Sequence, residues 1–209
     1  VDRFRPEGPR KALAIPEGSR VVAFSGSFRP WHGADLLVRA AASLRCDHPD
    51  AYFLFLGSGP SLPEARTLAR RFGIESAFLF TGPVAYQEMP SYLRLAHIGV
   101  APYQPKHLPE MKLGFYWSPL KIFEYMATAL PVISLDVPPV AEIIRPGEEG
   151  LLVPEGDEDA LADAIETLLC DPARARSLGE SGRERVVACF SWQRHCEQLE
   201  RILEALIRR

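Results

Sequence analysis

Two short stretches carry side chains suited to handling an anion. Residues 25–33 read SGSFRPWHG, set between the apolar run VVAF and the amphipathic stretch DLLVRAAASL. Gly26 and Gly33 bracket Ser27, Arg29, Trp31 and His32, so the loop offers one permanent cation and one imidazole between two residues without a Cβ. That composition suits close backbone approach to a phosphate; the plainer reading is a turn packed around bulky side chains, and Trp31 is taken as a packing residue. The second stretch, residues 118–131, reads SPLKIFEYMATALP. Ser118 is expected to be an N-cap and Pro119 the first helical residue. Lys121 then sits in the first turn, where the helix dipole disfavours a cation; a bound anion such as a diphosphate would reverse that penalty. Glu124 follows in the same stripe, while Ile122, Met126 and Ala129 form a separate apolar face. Two readings stay open here: an exposed Lys–Glu pair, or Lys121 near phosphate with Glu124 accepting hydrogen bonds from sugar hydroxyls.

Other motifs are weaker. LGSGP supplies Gly57 and Gly59 but lacks the third glycine of a dinucleotide fingerprint, and no acidic residue follows about 20 positions on after a second strand. These glycines are expected to let a ligand or a neighbouring loop approach the backbone. No GxxxxGK[ST] is present, which excludes a P-loop nucleotidase. Asp157-Glu158-Asp159 spells a DxD, yet it opens a helical pattern, where acids cap free N–H groups; capping is the expectation rather than metal binding. Phe115, Tyr116 and Trp117 fit either a sugar or base platform or an anchor for their own loop. Cys46, Cys170, Cys189 and Cys196 show no CxxC and no zinc-ligand spacing, and read as buried or incidental thiols of a reducing compartment, hence the cytoplasm.

Positioning falls to an alternation of apolar runs and helical patterns. The strand-like runs are VVAFS (21–25), YFLFLG (52–57), FLFTG (78–82), IGVAP (98–102), PVISL (131–135) and LLVP (151–154). Helical patterns cover 34–45, 62–72, 87–96, 119–129, 138–145 and 157–169. Everything after Asp171 is helical in pattern, with Ser191 capping a last helix over 191–209. The expected fold is α/β: a Rossmann-like, doubly wound, mostly parallel six-stranded sheet covered on both faces, with C-terminal helices appended. Such a sheet binds ligands beyond the carboxyl ends of its strands. SGSFRPWHG, GSGP, TGPVAYQE, the long stretch 103–118 and DVPPVAE all fall on that edge. Residues 1–18, rich in Pro, Gly and charge, read as a linker, and 19–190 as the binding domain.

A length of 209 residues allows one substantial domain. A net charge of -3 gives no general attraction to nucleic acid. No apolar run approaches the roughly 20 residues of a membrane span, and the polar opening VDRFRPEGPRK is not a signal peptide. Opening on Val1 rather than Met, the chain is expected to be a piece of something longer.

In their order and spacing, VDRFRP, FSGSFRPWHGADLLVRAAASL, LFLGSGP, FLFTGPVAYQEMPSYLRLAHIGVAPY, SPLKIFEYMATALPVIS, AEIIRPGEEGLLVPEGDEDALADAIETLL and FSW resemble the C-terminal, donor-binding domain of GT-B glycosyltransferases. The similarity is to the large retaining family known as glycosyltransferase group 1, or GT4, and spans nearly the whole chain. It implies transfer of a sugar from a nucleotide-diphosphate donor to a glycan, lipid or other acceptor, with retention at the anomeric carbon. It implies no metal or other cofactor, because cationic side chains and a helix dipole stabilise the leaving diphosphate. Carried over by position, Glu124 would bind the ribose and Gly82 and Val84 would flank the base. Tyr116, Ser118, Pro119 and Leu120 would surround the sugar and phosphate. Gly26, Ser27, Gly57 and Gly59 would line the phosphate side, with Lys121, Arg29 and His32 as the catalytic cations.

Three departures from the family pattern stand out. Tyr116 replaces a glutamate often found eight positions before Glu124. Ser27 and His32 replace the usual loop Arg and Lys, leaving Arg29 and Lys121 as the expected substitutes. Ala129 or Leu130 replaces the glycine of the A-x-G-x-PV segment. His32 on a phosphate would titrate near neutral pH. The resemblance further implies an N-terminal, acceptor-binding domain outside this chain, through which the protein would meet a membrane-associated acceptor, as in polysaccharide or glycolipid assembly. The chain alone would bind donor yet transfer little. A noncatalytic nucleotide-binding α/β module and one half of a sugar-nucleotide 2-epimerase share the same architecture and stay as alternatives.

Overall fold

The computed structural model describes residues 1–107 and 118–207. Six strands form one sheet: β1 (Arg20–Gly26), β2 (Ala51–Gly57), β3 (Phe78–Phe80), β4 (Ile98–Ala101), β5 (Val132–Leu135) and β6 (Gly150–Val153). Their order is β3-β2-β1-β4-β5-β6, and every pairing is parallel. The helices are α1 (Ala34–Leu44), α2 (Leu62–Arg71), α3 (Met89–Leu93), α4 (Leu120–Ala127), α5 (Pro138–Ala141), α6 (Glu158–Cys170), α7 (Pro172–Cys189) and α8 (Trp192–Ile207).

The apolar runs are continuous because the sheet is covered twice. Along β1, Val22 and Phe24 face the core under α1, α2 and α6, while Val21 and Ala23 face the one under α4 and α5. Register places Phe53 beside Phe78 and Phe55 beside Phe80 on neighbouring strands. Their rings meet at 4.9 Å and 5.2 Å between centroids. Each such pair contributes about 0.5–1.5 kcal/mol beyond its burial.

Three expected helices are shorter than their patterns. α3 and α5 begin on proline-containing turns and cover Met89–Leu93 and Pro138–Ala141. α4 starts at Leu120, because Pro119 has φ −80 and ψ 68 and is itself the N-cap. Ser118 therefore makes no capping bond, contrary to expectation: proline fixes φ, but the non-helical ψ of Pro119 delays the helix by one residue. At the other end α4 stops before Ala129, which belongs to no apolar helical face and instead has φ +59. Ala129 is thus the left-handed residue after the helix, the role glycine fills most cheaply. Ala129→Gly is expected to stabilise the fold by about 1 kcal/mol, read as a higher urea midpoint at unchanged slope. An unchanged or lower midpoint would count against the left-handed backbone. The α7 residue Gly179 packs on the same turn, where a Cβ would lie 2.1 Å from the Ala129 carbonyl oxygen.

The first residues are held against the domain. The Arg183 guanidinium donates to the carbonyls of Phe4 and Ala127, each at 2.6 Å, and Arg94 donates to Arg5 at 2.8 Å and Pro9 at 3.2 Å. Ser191 caps α8 as expected, its hydroxyl accepting from the Arg194 N–H at 3.3 Å.

Candidate functional site

The strand order reverses between β1 and β4, so their outgoing connections diverge and open a crevice at the carboxyl edge. The connection leaving β1 is the SGSFRPWHG loop, and the one leaving β4 returns as α4. Phe28 anchors the first loop: it is fully buried, 5.0 Å from the Phe24 ring and 5.8 Å from Phe55, at a left-handed φ of +42. Burying a phenylalanine offsets the strain of that backbone. The two connections are joined directly. Gln104 N–H donates to the Trp31 carbonyl at 2.9 Å, and Gln104 Nε2 donates to Asp35 at 3.0 Å. Gly33, at φ +72, comes so near that a Cβ would stand 1.8 Å from the Pro102 carbonyl oxygen.

A tyrosine that the sequence did not single out places α4. Tyr125 crosses β4 at Gly99, where any Cβ would lie 2.6 Å from the ring. Its hydroxyl accepts from the Ser25 N–H at 2.8 Å and lies 3.0 Å from Ser25 Oγ. Both partners are buried, so the end of β1 and the second half of α4 share one fixed spacing.

That spacing brings Lys121 to Gly26. Lys121 is 7% exposed, which removes the solvent-facing Lys–Glu pair from consideration. Its Nζ lies 4.5 Å from the Phe24 ring centroid and 5.0 Å from that of Tyr103. Among the described residues it has no hydrogen-bond partner, and the same holds for His32 Nδ1. Both atoms border one space: a Cβ on Gly26 would stand 3.0 Å from Lys121 Nζ and 3.1 Å from His32 Nδ1. Burial pushes the Lys121 ammonium down to about 7, against the pull of Glu124. Burial, then Lys121 and Arg29, push His32 down to about 3. In the unliganded chain His32 is therefore uncharged near neutral pH; the titration expected of a His32 on phosphate belongs to the bound state.

Glu124 lies on the next turn, half-buried, and its carboxyl is pushed up to about 7 by burial, against Lys121. It lines a groove of about 770 Å³ with Ser118, Leu120, Phe123, Tyr86 and Trp192. The described lining of that groove does not include Lys121, His32 or Gly26. Pro119 is buried and Leu120 is exposed at the rim. Arg29 and Ser27 are exposed, with the Arg29 guanidinium 6.0 Å from the Trp31 ring. Gly57 and Gly59 admit neighbouring backbone: Cβ atoms there would lie 2.0 Å from the Gly26 oxygen and 1.7 Å from the Ser27 oxygen. Gly82 is open, with φ +74 and nothing near its Cβ position, and its carbonyl accepts from the Gly57 N–H at 2.9 Å. Val84 packs half-buried against the α4-side core. Tyr116 and its aromatic neighbours lie outside the described residues.

Two metal questions resolve in structural terms. Asp157 caps α6, accepting from the Ala160 N–H at 2.9 Å. His48, Glu166 and Cys170 bring potential ligand atoms within 4.8 Å of one another at the opposite edge of the sheet. However, Arg20 can only donate, and it reaches His48 Nδ1 at 3.1 Å; the ring proton is then on Nε2, 3.2 Å from Glu166. No lone pair on His48 is left to face a cation. All four cysteines are exposed, so none is the buried thiol the sequence allowed for. No helix among the described residues is long and apolar enough to cross a membrane.

Comparison with known proteins agrees with this architecture. A mannosyltransferase of Mycobacterium tuberculosis, named as GDP-mannose-dependent and acting on phosphatidylinositol monomannoside, is 33% identical over 199 residues. The alignment covers 92% of this chain and 50% of that protein, so the chain spans about half the length of the relatives it matches. Sucrose-phosphate synthase from Thermosynechococcus elongatus superposes with a TM-score of 0.76 at 32% identity, over 92% of this chain and 47% of that one. The C-terminal domain of a group 1 glycosyl transferase from Francisella tularensis superposes at 0.77 with 22% identity, over 91% of this chain and 97% of that domain. The sequence profile described as "Glycosyl transferases group 1" matches residues 19–171, most of the chain. With that match and the GT-B-type sheet and crevice described above, the chain belongs to the group 1 glycosyltransferase family.

Proposed function

We propose that the chain is the donor-binding half of a retaining glycosyltransferase that holds a nucleotide-diphosphate sugar in the crevice between β1 and α4. The observation carrying this reading is the buried, unpartnered Lys121 amine facing Gly26 beside His32. A buried polar group without a partner costs about 1–3 kcal/mol, and a diphosphate supplies the missing acceptor. In the reaction, Lys121, Arg29 and the amino end of α4 would stabilise charge as it develops on the departing diphosphate, with no metal required. Glu124 would accept hydrogen bonds from the ribose hydroxyls, and ribose donors would draw its carboxyl back to the ionised form.

Acceptor binding is assigned to the remainder of the protein. α8 supports this: Leu199, Ile202, Leu203 and Leu206 form a stripe with i, i+3, i+4, i+7 spacing, and all are exposed. In this reading the acceptor-binding half covers that stripe and brings a glycan or lipid-linked acceptor to the crevice.

Titration of the chain with GDP-mannose, UDP-glucose and ADP-glucose tests the proposal. One of them is expected to bind without added metal, and the chain alone is expected to transfer no sugar. Glu124→Ala should weaken the bound nucleotide sugar by roughly 10–100-fold. An unchanged affinity would remove the ribose role, and no binding of any nucleotide sugar would remove the function itself.

A further inference from the structure

Lys121 and His32 present an arrangement that a simple cationic pocket would not. A pre-charged site would hold its ammonium on a carboxylate or on carbonyls until ligand arrives. Here Nζ rests between two aromatic rings, and neither it nor His32 Nδ1 has a hydrogen-bond partner among the described residues. The two nitrogens meet at one point over Gly26, the single position on the loop where the missing Cβ leaves room beside both. Phe24 is fully buried and Tyr103 is 3% exposed, so water has little access from below.

We propose that Lys121 and His32 form a two-nitrogen seat that binds the donor's diphosphate together with a proton. The inference rests on the nucleotide-sugar reading above and concerns how that same site acquires its charge. In the empty seat one amine and one imidazole share the space without a full complement of protons, because two adjacent buried cations repel and neither is well hydrated. An arriving diphosphate brings two negative charges into the space, and the seat takes one proton from solvent. No bond is made or broken; the proton ends on Lys121, whose N–H groups donate to phosphate oxygens, with His32 Nδ1 facing the same ligand.

The groups that face the seat fit this direction. Glu124, on α4, favours the charged lysine, and Arg29, on the loop, opposes a charged His32. Tyr103, from the β4 connection, and Tyr125, from α4, are both pushed well above the ordinary tyrosine range by burial and contribute no charge near neutral pH. The low proton affinity of Lys121 in the empty chain leaves it largely unprotonated at pH 8, and a nearby anion raises that affinity.

Calorimetry measures the proton directly. A nucleotide sugar is the right probe, since its diphosphate diester does not titrate over this range, whereas a free nucleoside diphosphate does. GDP-mannose or UDP-glucose, whichever binds, is titrated into the 209-residue chain at pH 8 in buffers of different ionisation heat, none of them a phosphate. Apparent enthalpy plotted against buffer ionisation heat should show uptake of roughly 0.5–1 proton per ligand bound. Binding with zero slope overturns the proton-coupled seat and leaves the donor-binding reading standing. Lys121→Met, assayed at high ligand concentration, should abolish the uptake; a slope that persists places the proton elsewhere and also overturns the proposal. Failure of every nucleotide sugar to bind the unmodified chain overturns the underlying function, and the seat with it.

Discussion

Lys121→Met is expected to cost roughly a hundredfold in affinity for a nucleotide sugar while making the fold more stable. The two effects have one cause. Lys121 is buried among Phe24 and Tyr103, surroundings that suit a thioether better than an ammonium. Its pKa lies at about 7 in the folded chain, below the ordinary value of 10.5, so folding carries a penalty whose size depends on pH. Below pH 7 the lysine is charged in both states, and the whole cost of burying the ammonium is present. Between 7 and 10.5 the folded chain binds fewer protons than the unfolded one, so stability rises with pH and the penalty fades. The gain from methionine should therefore be largest near pH 6, on the order of a few kcal/mol, and should shrink toward pH 10. Thermal unfolding across that range, beside a binding titration, reads both quantities. A melting temperature that falls at pH 6, or an affinity loss below about threefold, would contradict a buried lysine kept for the ligand.

The second large effect concerns two glycines with the same backbone and different surroundings. Gly33 and Gly82 have φ of +72 and +74, so alanine at either carries the left-handed penalty of about 1–2 kcal/mol. At Gly82 nothing lies within 4 Å of the Cβ position, and the penalty ends there. At Gly33 the new atom would stand 1.8 Å from the Pro102 carbonyl oxygen, and one of the two connections must move. Gly33→Ala should cost on the order of 3 kcal/mol more than Gly82→Ala in urea unfolding. It should also weaken nucleotide-sugar binding, because the Gln104 bond to Trp31 ties His32 to the β4 connection at that same place. Equal losses for the two variants would mean that the close approach of Gly33 to Pro102 is not a feature of the folded chain.

The fold was legible in the sequence for a simple reason. Strands buried on both faces must be apolar throughout, so the six runs announced themselves, and each observed strand falls within two residues of its run at either end. The site was legible only as a set of residues, not as an arrangement. Pro119 reads as helical by its φ, whereas its ψ of 68, which moved the helix start, is not fixed by the proline ring. The burial of Lys121 depends on Gly26 and Phe24 from β1 and Tyr103 from beyond β4, three segments no local pattern relates. The same burial lowers His32, so the imidazole of the unliganded chain is uncharged near neutral pH, which its residue type alone does not tell. Gly57 and Gly59 were rightly read as points of close approach, but what approaches is the first loop's own backbone. Tyr125 was not singled out in the sequence, since its work is done by one hydroxyl meeting Ser25 across the sheet.

That hydroxyl has a consequence for how such a domain can diversify. α4 is indexed to β1 by Tyr125 and Ser25 beneath the surface, not by the loops above it. Loop residues such as Arg29 and Ser27 are exposed and can be exchanged without changing the distance from Lys121 to Gly26. On the donor-binding reading, exposed loop residues can be exchanged while the anion position between Lys121 and Gly26 stays fixed. For an engineer seeking a new donor, the rim is the place to randomise, and the pair of hydroxyls beneath it is the part to leave alone.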